Sequence, residues 1–137
     1  MKILVTGGAG FIGSHIVEYL IQRGDDVVVL DDLSNGKMQN LSKVSNNINF
    51  VNGDVRDYKL VEQLVKDVDG VFHEAALVSV PESFKMQNEY FDVNVNGTEN
   101  ILKLAKEYDS KLSMQVLQVF MEILNLYQLR KMMIKVH

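Results

Sequence analysis

The chain has 137 residues, 47% hydrophobic and 23% charged, with no cysteine and a formal net charge of −4. That length fits one domain with one core, the lack of cysteine excludes disulfides and thiolate metal sites, and the acidic balance argues against a nucleic-acid partner. No apolar run reaches the length of a membrane span and MKILVTGG is no signal peptide, so neither membrane nor export is expected and a reducing cytoplasm is the natural home.

KILVT (2–6) reads as a short strand stopped by a glycine cluster. From Phe11 to about Arg23 a helical face runs through Phe11, Ile12, Ile16, Val17, Tyr19, Leu20 and Ile21, closed by Gly24 as a C-cap. DVVVL (26–30) is a continuous apolar run ending on Asp31 and Asp32, as expected of a strand covered on both faces. LSNGK opens a polar loop, INFVN (48–52) is a third strand, and residues 58–67 read as a helix through Leu60, Val61, Leu64 and Val65. GVFHEAA (70–76) is a fourth strand, and one long helix is expected from about Lys85 to Tyr108 with Val93, Val95, Ile101, Leu102, Leu104 and Ala105 inward. Strands separated by helices in this rhythm predict a doubly wound parallel α/β sheet with order 3-2-1-4.

TGGAGFIGSH (6–15) lies between the first strand and the first helix and satisfies G-x-G-x-x-G through Gly8, Gly10 and Gly13. The glycines of such a turn allow a tight bend, close approach of backbone to a pyrophosphate, and close helix–strand packing. Phosphates would rest on the free N–H groups that open the helix. Asp31, eighteen positions after Gly13 at the end of strand two, would accept from the ribose hydroxyls and repel a 2′-phosphate, favouring NAD over NADP. Asp32 reads as a solvated loop acid that adds to this bias. Asp54 is placed either for the adenine edge or as the N-cap of the next helix. His15, His73 and His137 are isolated, and no metal site is expected.

TGGAGFIGSH, VVVLDDLSNGK, GDVRD, HEAA and NVNGT, in this order over residues 1 to about 110, resemble the extended short-chain dehydrogenase/reductase family. The branch they most resemble is that of the NAD-dependent nucleotide-sugar (UDP-hexose) 4-epimerases and dehydratases. The resemblance implies a Rossmann-type fold and NAD contacts at Gly7, Gly10, Phe11, Ile12, Gly13, Asp31, Asn35, Asp54, Val55, Ala75, Ala76 and Asn94. It also implies a nucleotide-sugar substrate and a homodimer for the whole parent protein. LVSVPES (77–83) resembles the loop beside nicotinamide and sugar, which makes Ser79 and Ser83 substrate-side candidates, with loop or cap chemistry as the alternative.

In such enzymes a tyrosine from a Tyr-x-x-x-Lys pair, aided by a serine, moves the proton of the sugar 4-hydroxyl while hydride passes to NAD. After NVNGTENILKLAKEY the family pattern requires a fifth strand and a serine-rich run like VYASSSSVYG; here the chain reads KLSMQVLQVFMEILNLYQLRK instead. Composition also shifts: residues 111–137 hold one acid, Glu122, and four of the seven methionines, while all nine glycines lie at or before Gly97.

Joining the last base of each codon to the first two of the next, from Ser113, yields residue sets compatible with YASSSSVYGD and then SESLPIKEDD. Alanine and glycine are forced in that run by the single codons of Met114 and Met121. We therefore expect an incomplete NAD-binding domain, 1–112, truncated after about four strands, and an out-of-frame tail, 113–137, without catalytic residues. Tyr127 and Lys131 have Tyr-x-x-x-Lys spacing but fall inside the shifted stretch, too soon after Asn94 to be the family pair. The rival readings are an amphipathic helix over 113–135 acting as a partner interface on a non-catalytic NAD-binding module, or a product without function.

Overall fold

The computed structural model describes residues 1–115. Lys2–Thr6 forms β1 at the centre of a parallel sheet, with β2 (Asp26–Asp31) and β3 (Ile48–Asn52) on one side and β4 (Gly70–His73) and β5 (Lys111–Met114) on the other. The order is β3-β2-β1-β4-β5. Alternation within each strand divides the core in two. Ile3, Val5, Val27 and Val29 face Val17, Leu20 and Leu41, while Leu4, Val28, Leu30 and Val71 face Val61, Val65, Ile101 and Leu104. Both faces are covered, which is why DVVVL reads as an unbroken apolar run.

The expected order 3-2-1-4 is present, but the sheet has one strand more. β5 pairs with β4 from Gly70↔Lys111 to His73↔Met114. Leu112 packs against the second core, so the expected boundary at 112 falls inside a strand. An open strand edge offers unpaired N–H and C=O groups that a short extended segment can meet whatever its origin.

Helix α1 spans Phe11–Arg23 and ends as the sequence predicts. Gly24 takes φ +90°, its N–H bonding to the Ile21 carbonyl and the Asp25 N–H to the Leu20 carbonyl. The predicted apolar face is only half buried: Val17 and Leu20 are inside, but Phe11, Ile12 and Tyr19 are exposed. Helix α2, Tyr58–Val65, is capped by the Asp57 carboxylate on the Leu60 N–H, so Asp54 is not its N-cap. The polar loop after β2 contains an unforeseen 3₁₀ turn, Met38–Leu41, which seals the first core with buried Leu41.

A short helix, α3 (Val80–Lys85), stands where a loop is expected, and the single long helix expected over 85–108 is instead a broken series: α4 (Gln87–Phe91), a π turn (Asp92–Gly97) and α5 (Thr98–Glu107). Pro81 starts α3 because it lacks an N–H only where a helix start can spare one. The inward positions of the last segment are as predicted for Val93, Val95, Ile101, Leu104 and Ala105, with Leu102 partly exposed.

Candidate functional site

The strand order reverses between β1 and β4, and a cleft opens there at the C-terminal ends of the strands, where doubly wound sheets bind ligands. Its larger lobe, about 320 Å³, lies over Phe11, Ile12, Gly13, Asn94 and Thr98. The smaller, about 90 Å³, is bounded by Asp31, Gly53, Asp54 and Val55. The lobes share Gly7, Gly10, Asn35, Glu74, Ala75 and Ala76.

The floor of the cleft depends on missing side chains. Gly7 has φ +68°, and a Cβ there would stand 2.6 Å from the Ala75 nitrogen. A Cβ on Gly13 would collide with the Gly7 carbonyl, so helix and turn touch through backbone alone. Gly10 precedes α1 in extended conformation and no side chain caps the helix. The first N–H groups of α1 therefore remain available to an anion at the positive end of the helix dipole.

Two carboxylates define the smaller lobe. Buried Asp31 accepts from the Ala9 N–H at 2.9 Å and the Leu33 N–H at 2.8 Å, which fixes its plane between the glycine turn and the loop after β2. Asp54 accepts from Arg56 through Nε at 3.0 Å and Nη2 at 2.6 Å, and this guanidinium holds its carboxyl below the usual carboxylate range. Asp32 is locked in a local turn by the Ser34 N–H and hydroxyl at 2.9 and 2.7 Å. Glu74 lies where the lobes meet, and burial pushes its carboxyl above the ordinary value.

Under the larger lobe runs a buried relay. The Thr6 hydroxyl is 2.6 Å from His73 Nδ1, and His73 Nε2 is 2.9 Å from the Thr98 hydroxyl. The Ala75 N–H also donates to Thr6 Oγ1 at 3.3 Å. Burial pushes the His73 pKa down to about 4, so the ring is neutral and one of its nitrogens accepts. Asn94 spends its amide on the main chain of Leu77, accepting from the N–H at 2.8 Å and donating to the carbonyl at 2.9 Å. It thereby fixes the turn that follows β4.

All twelve residues named from the sequence line this cleft: Gly7, Gly10, Phe11, Ile12, Gly13, Asp31, Asn35, Asp54, Val55, Ala75, Ala76 and Asn94. Ser79 and Ser83 line neither lobe; Ser83 is buried and donates to the Val80 carbonyl at 2.6 Å. Tyr127 and Lys131 lie outside the described residues. The reading of isolated histidines missed the role of His73. Its signal lay in the register, which pairs His73 with Thr6 across β1 and β4. Among the described residues no cluster of metal-ligating side chains is present, and no helix is long and apolar enough to cross a membrane.

The chain is similar to known proteins in both sequence and fold. The model of the NAD dependent epimerase/dehydratase family matches residues 3–119. A putative UDP-glucose 4-epimerase of Methanocaldococcus jannaschii is 47% identical over 108 residues, 78% of this chain and 34% of that protein. The UDP-glucose 4-epimerase of Halalkalibacterium halodurans is 45% identical over 113 residues, 81% of this chain and 33% of its own length. The solved UDP-glucose 4-epimerase of Thermotoga maritima with UDP-glucose superposes with TM-score 0.78 at 38% identity, over 83% of this chain and 37% of the other. That of Thermus thermophilus in complex with NAD gives 0.74 at 43% identity, over 82% and 36%. The chain thus spans about a third of the length of these relatives. On sequence and fold together, it is a member of the NAD-dependent epimerase/dehydratase family.

Proposed function

We propose that the chain is the NAD-binding half of a nucleotide-sugar 4-epimerase or dehydratase, and that its residues from Ser113 onward translate a shifted reading frame. The observation that carries the first clause is the glycine turn, closed against Ala75 and followed by a fixed Asp31, at the strand-order reversal. These features fit a dinucleotide. A diphosphate meets the open N-terminus of α1, the ribose hydroxyls meet Asp31, and the adenine edge meets Asp54 and Val55. The Asp31 carboxylate disfavours a 2′-phosphate, so NAD is preferred to NADP. NAD supplies a reversible hydride acceptor when bound; the described residues supply its binding, its orientation and the exclusion of water by Ala75, Ala76 and Val78.

The shifted frame compatible with YASSSSVYGD supports the second clause. On this reading the 137 residues hold neither the family serine nor its Tyr-x-x-x-Lys pair and do not turn over sugar nucleotide. The whole parent protein would be a homodimeric enzyme acting on a UDP-hexose. Calorimetry is expected to show NAD binding with NADP much weaker; absence of NAD binding refutes the first clause. An assay with UDP-glucose is expected to show no turnover. Sequencing the gene across codons 108–140 decides the frame: if no shifted frame encodes the serine-rich run and a later Tyr-x-x-x-Lys, the slip did not occur. The alternative of a non-catalytic module with the tail as an interface predicts a defined complex that is lost on deleting residues 113–137.

A further inference from the structure

We propose that Arg56 is a positioning residue for purine recognition: by gripping Asp54 from behind, it sets that carboxylate to accept from a 6-aminopurine and to reject a 6-oxopurine. This rests on the reading of the cleft as a dinucleotide site.

Asp54 and Val55 line the smaller lobe, but Arg56 does not. Its guanidinium meets both oxygens of Asp54, Nε at 3.0 Å from each and Nη2 at 2.6 Å from Oδ2, while its own backbone N–H reaches Oδ1 at 2.8 Å. The side chain of Asp54 nonetheless stays 31% exposed, so the carboxylate is held on one side and open on the other. The grip is itself anchored. Arg56 Nη1 bonds Asp92 Oδ2 at 3.3 Å at the head of the π turn, and the Asn100 amide donates to the carbonyls of Val55 and Arg56 at 3.0 and 3.3 Å. Gly97 lets the helix approach this loop, since a Cβ there would stand 2.6 Å from Val55 Cγ2.

Partly exposed ion pairs add little to stability, so the value of this arrangement lies in orientation. A planar guanidinium fork fixes the plane of a carboxylate, whereas an ammonium supplies charge without direction. Adenine presents an amino donor beside the N1 acceptor; hypoxanthine presents a carbonyl acceptor beside an N1–H donor. An ionised carboxylate only accepts, so one held opposite position 6 meets the amino N–H of adenine and repels the carbonyl oxygen of hypoxanthine, and a carboxylate free to turn could instead accept from the hypoxanthine N1–H.

The test is calorimetric titration with NAD and with nicotinamide hypoxanthine dinucleotide. Wild type is expected to prefer NAD by about tenfold or more. Arg56→Met is expected to bring the two affinities close together through loss of NAD binding, with the hypoxanthine analogue changed by less than about twofold; Arg56→Lys falls between. Asp92→Asn loosens Arg56 without touching Asp54 and lowers the preference by a smaller factor, which keeps the test open if Arg56→Met does not fold. Equal weakening of both dinucleotides, or an unchanged preference in folded Arg56→Met, overturns the proposal. Wild type that binds both equally overturns it while leaving the dinucleotide reading intact, and wild type that binds neither overturns both.

Discussion

At the β2–β3 end of the cleft the polar groups are already held by the protein: Asp31 by the Ala9 and Leu33 N–H groups, Asp54 by Arg56. At the β4–β5 end the wall is largely apolar, made of Phe11, Ile12, Ala75, Ala76, Val78 and Met114, and Asn94, His73 and Thr98 spend their polar groups on neighbouring protein atoms. One end is therefore equipped to select by directed acceptors and the other by shape. The directed acceptors of the first, Asp31 and Asp54, lie within residues 6–55, although Glu74, Ala75, Ala76, Leu77 and Val93 also line that lobe, and the second takes in Met114 and Gln115 as well.

Substitutions at either end test this contrast. The largest effect is expected for Gly13→Val, which forces a branched side chain onto the Gly7 carbonyl. It should cost about 3 kcal/mol of stability or more and abolish NAD binding, read by denaturant midpoint and calorimetry. A Gly13→Val chain that binds NAD like wild type would remove the glycine turn from the site. Next comes acid sensitivity at the β4–β5 end. His73 has its pKa pushed down to about 4 from 6.5, so on acidification the unfolded chain takes up its proton first. Stability then falls as pH drops from about 6.5 to about 4, by at most about 3 kcal/mol from this group. Unfolding curves of wild type and His73→Gln across that range should diverge in slope; parallel curves would show that the ring is not held neutral.

Asp31→Asn, at the directed end, keeps the size but removes the charge and turns an amide NH2 toward one of the two backbone N–H groups, of Ala9 and Leu33, from which Asp31 accepts. NAD affinity is expected to fall by about 1–2 kcal/mol and the preference over NADP to narrow, measured by paired titrations. The smallest effect on the fold is expected for Phe11→Ser, because Phe11 is 80% exposed. Its stability should stay within about 0.5 kcal/mol of wild type while NAD binding weakens several-fold. A large loss of stability would mean that the apolar end is part of the core after all.

Legibility from sequence divides along similar lines. β1, α1, β2 and the Gly24 cap are dictated by local patterns: a short β-rich run, a helical period, a buried strand and a C-cap glycine. The twelve cleft residues belong to the motifs that carry the family resemblance, which sit at or just after the ends of β1, β2, β3 and β4, at the start of α1 and, for Asn94, in the π turn, and backbone geometry carries them to one place. Periodicity alone does not show that Phe11 and Ile12 are exposed, because an apolar side chain facing a cleft has the same period as one facing the core; only the family resemblance singles them out. The break of the 80–107 segment was hidden as well. Pro81 can begin a helix as easily as interrupt a loop, and no residue type marks a π turn. The Thr6–His73–Thr98 relay joins residues far apart in the chain, and only the β1–β4 register brings them together.

The π turn at Asp92–Gly97 has a structural cost of its own kind. A π turn holds one residue more than an α turn, so it resets the angular phase between the helical residues before it and those after it. Asn94, within the turn, faces the Leu77 main chain, while Ile101 and Leu104, beyond it, pack with the sheet residues Leu4, Val28, Leu30 and Val71. Removing one residue would rotate the two sets relative to each other by about 100°. Cleft and core could not then both keep their partners, and the surplus residue behaves as a splice that the two halves of the helix must inherit together.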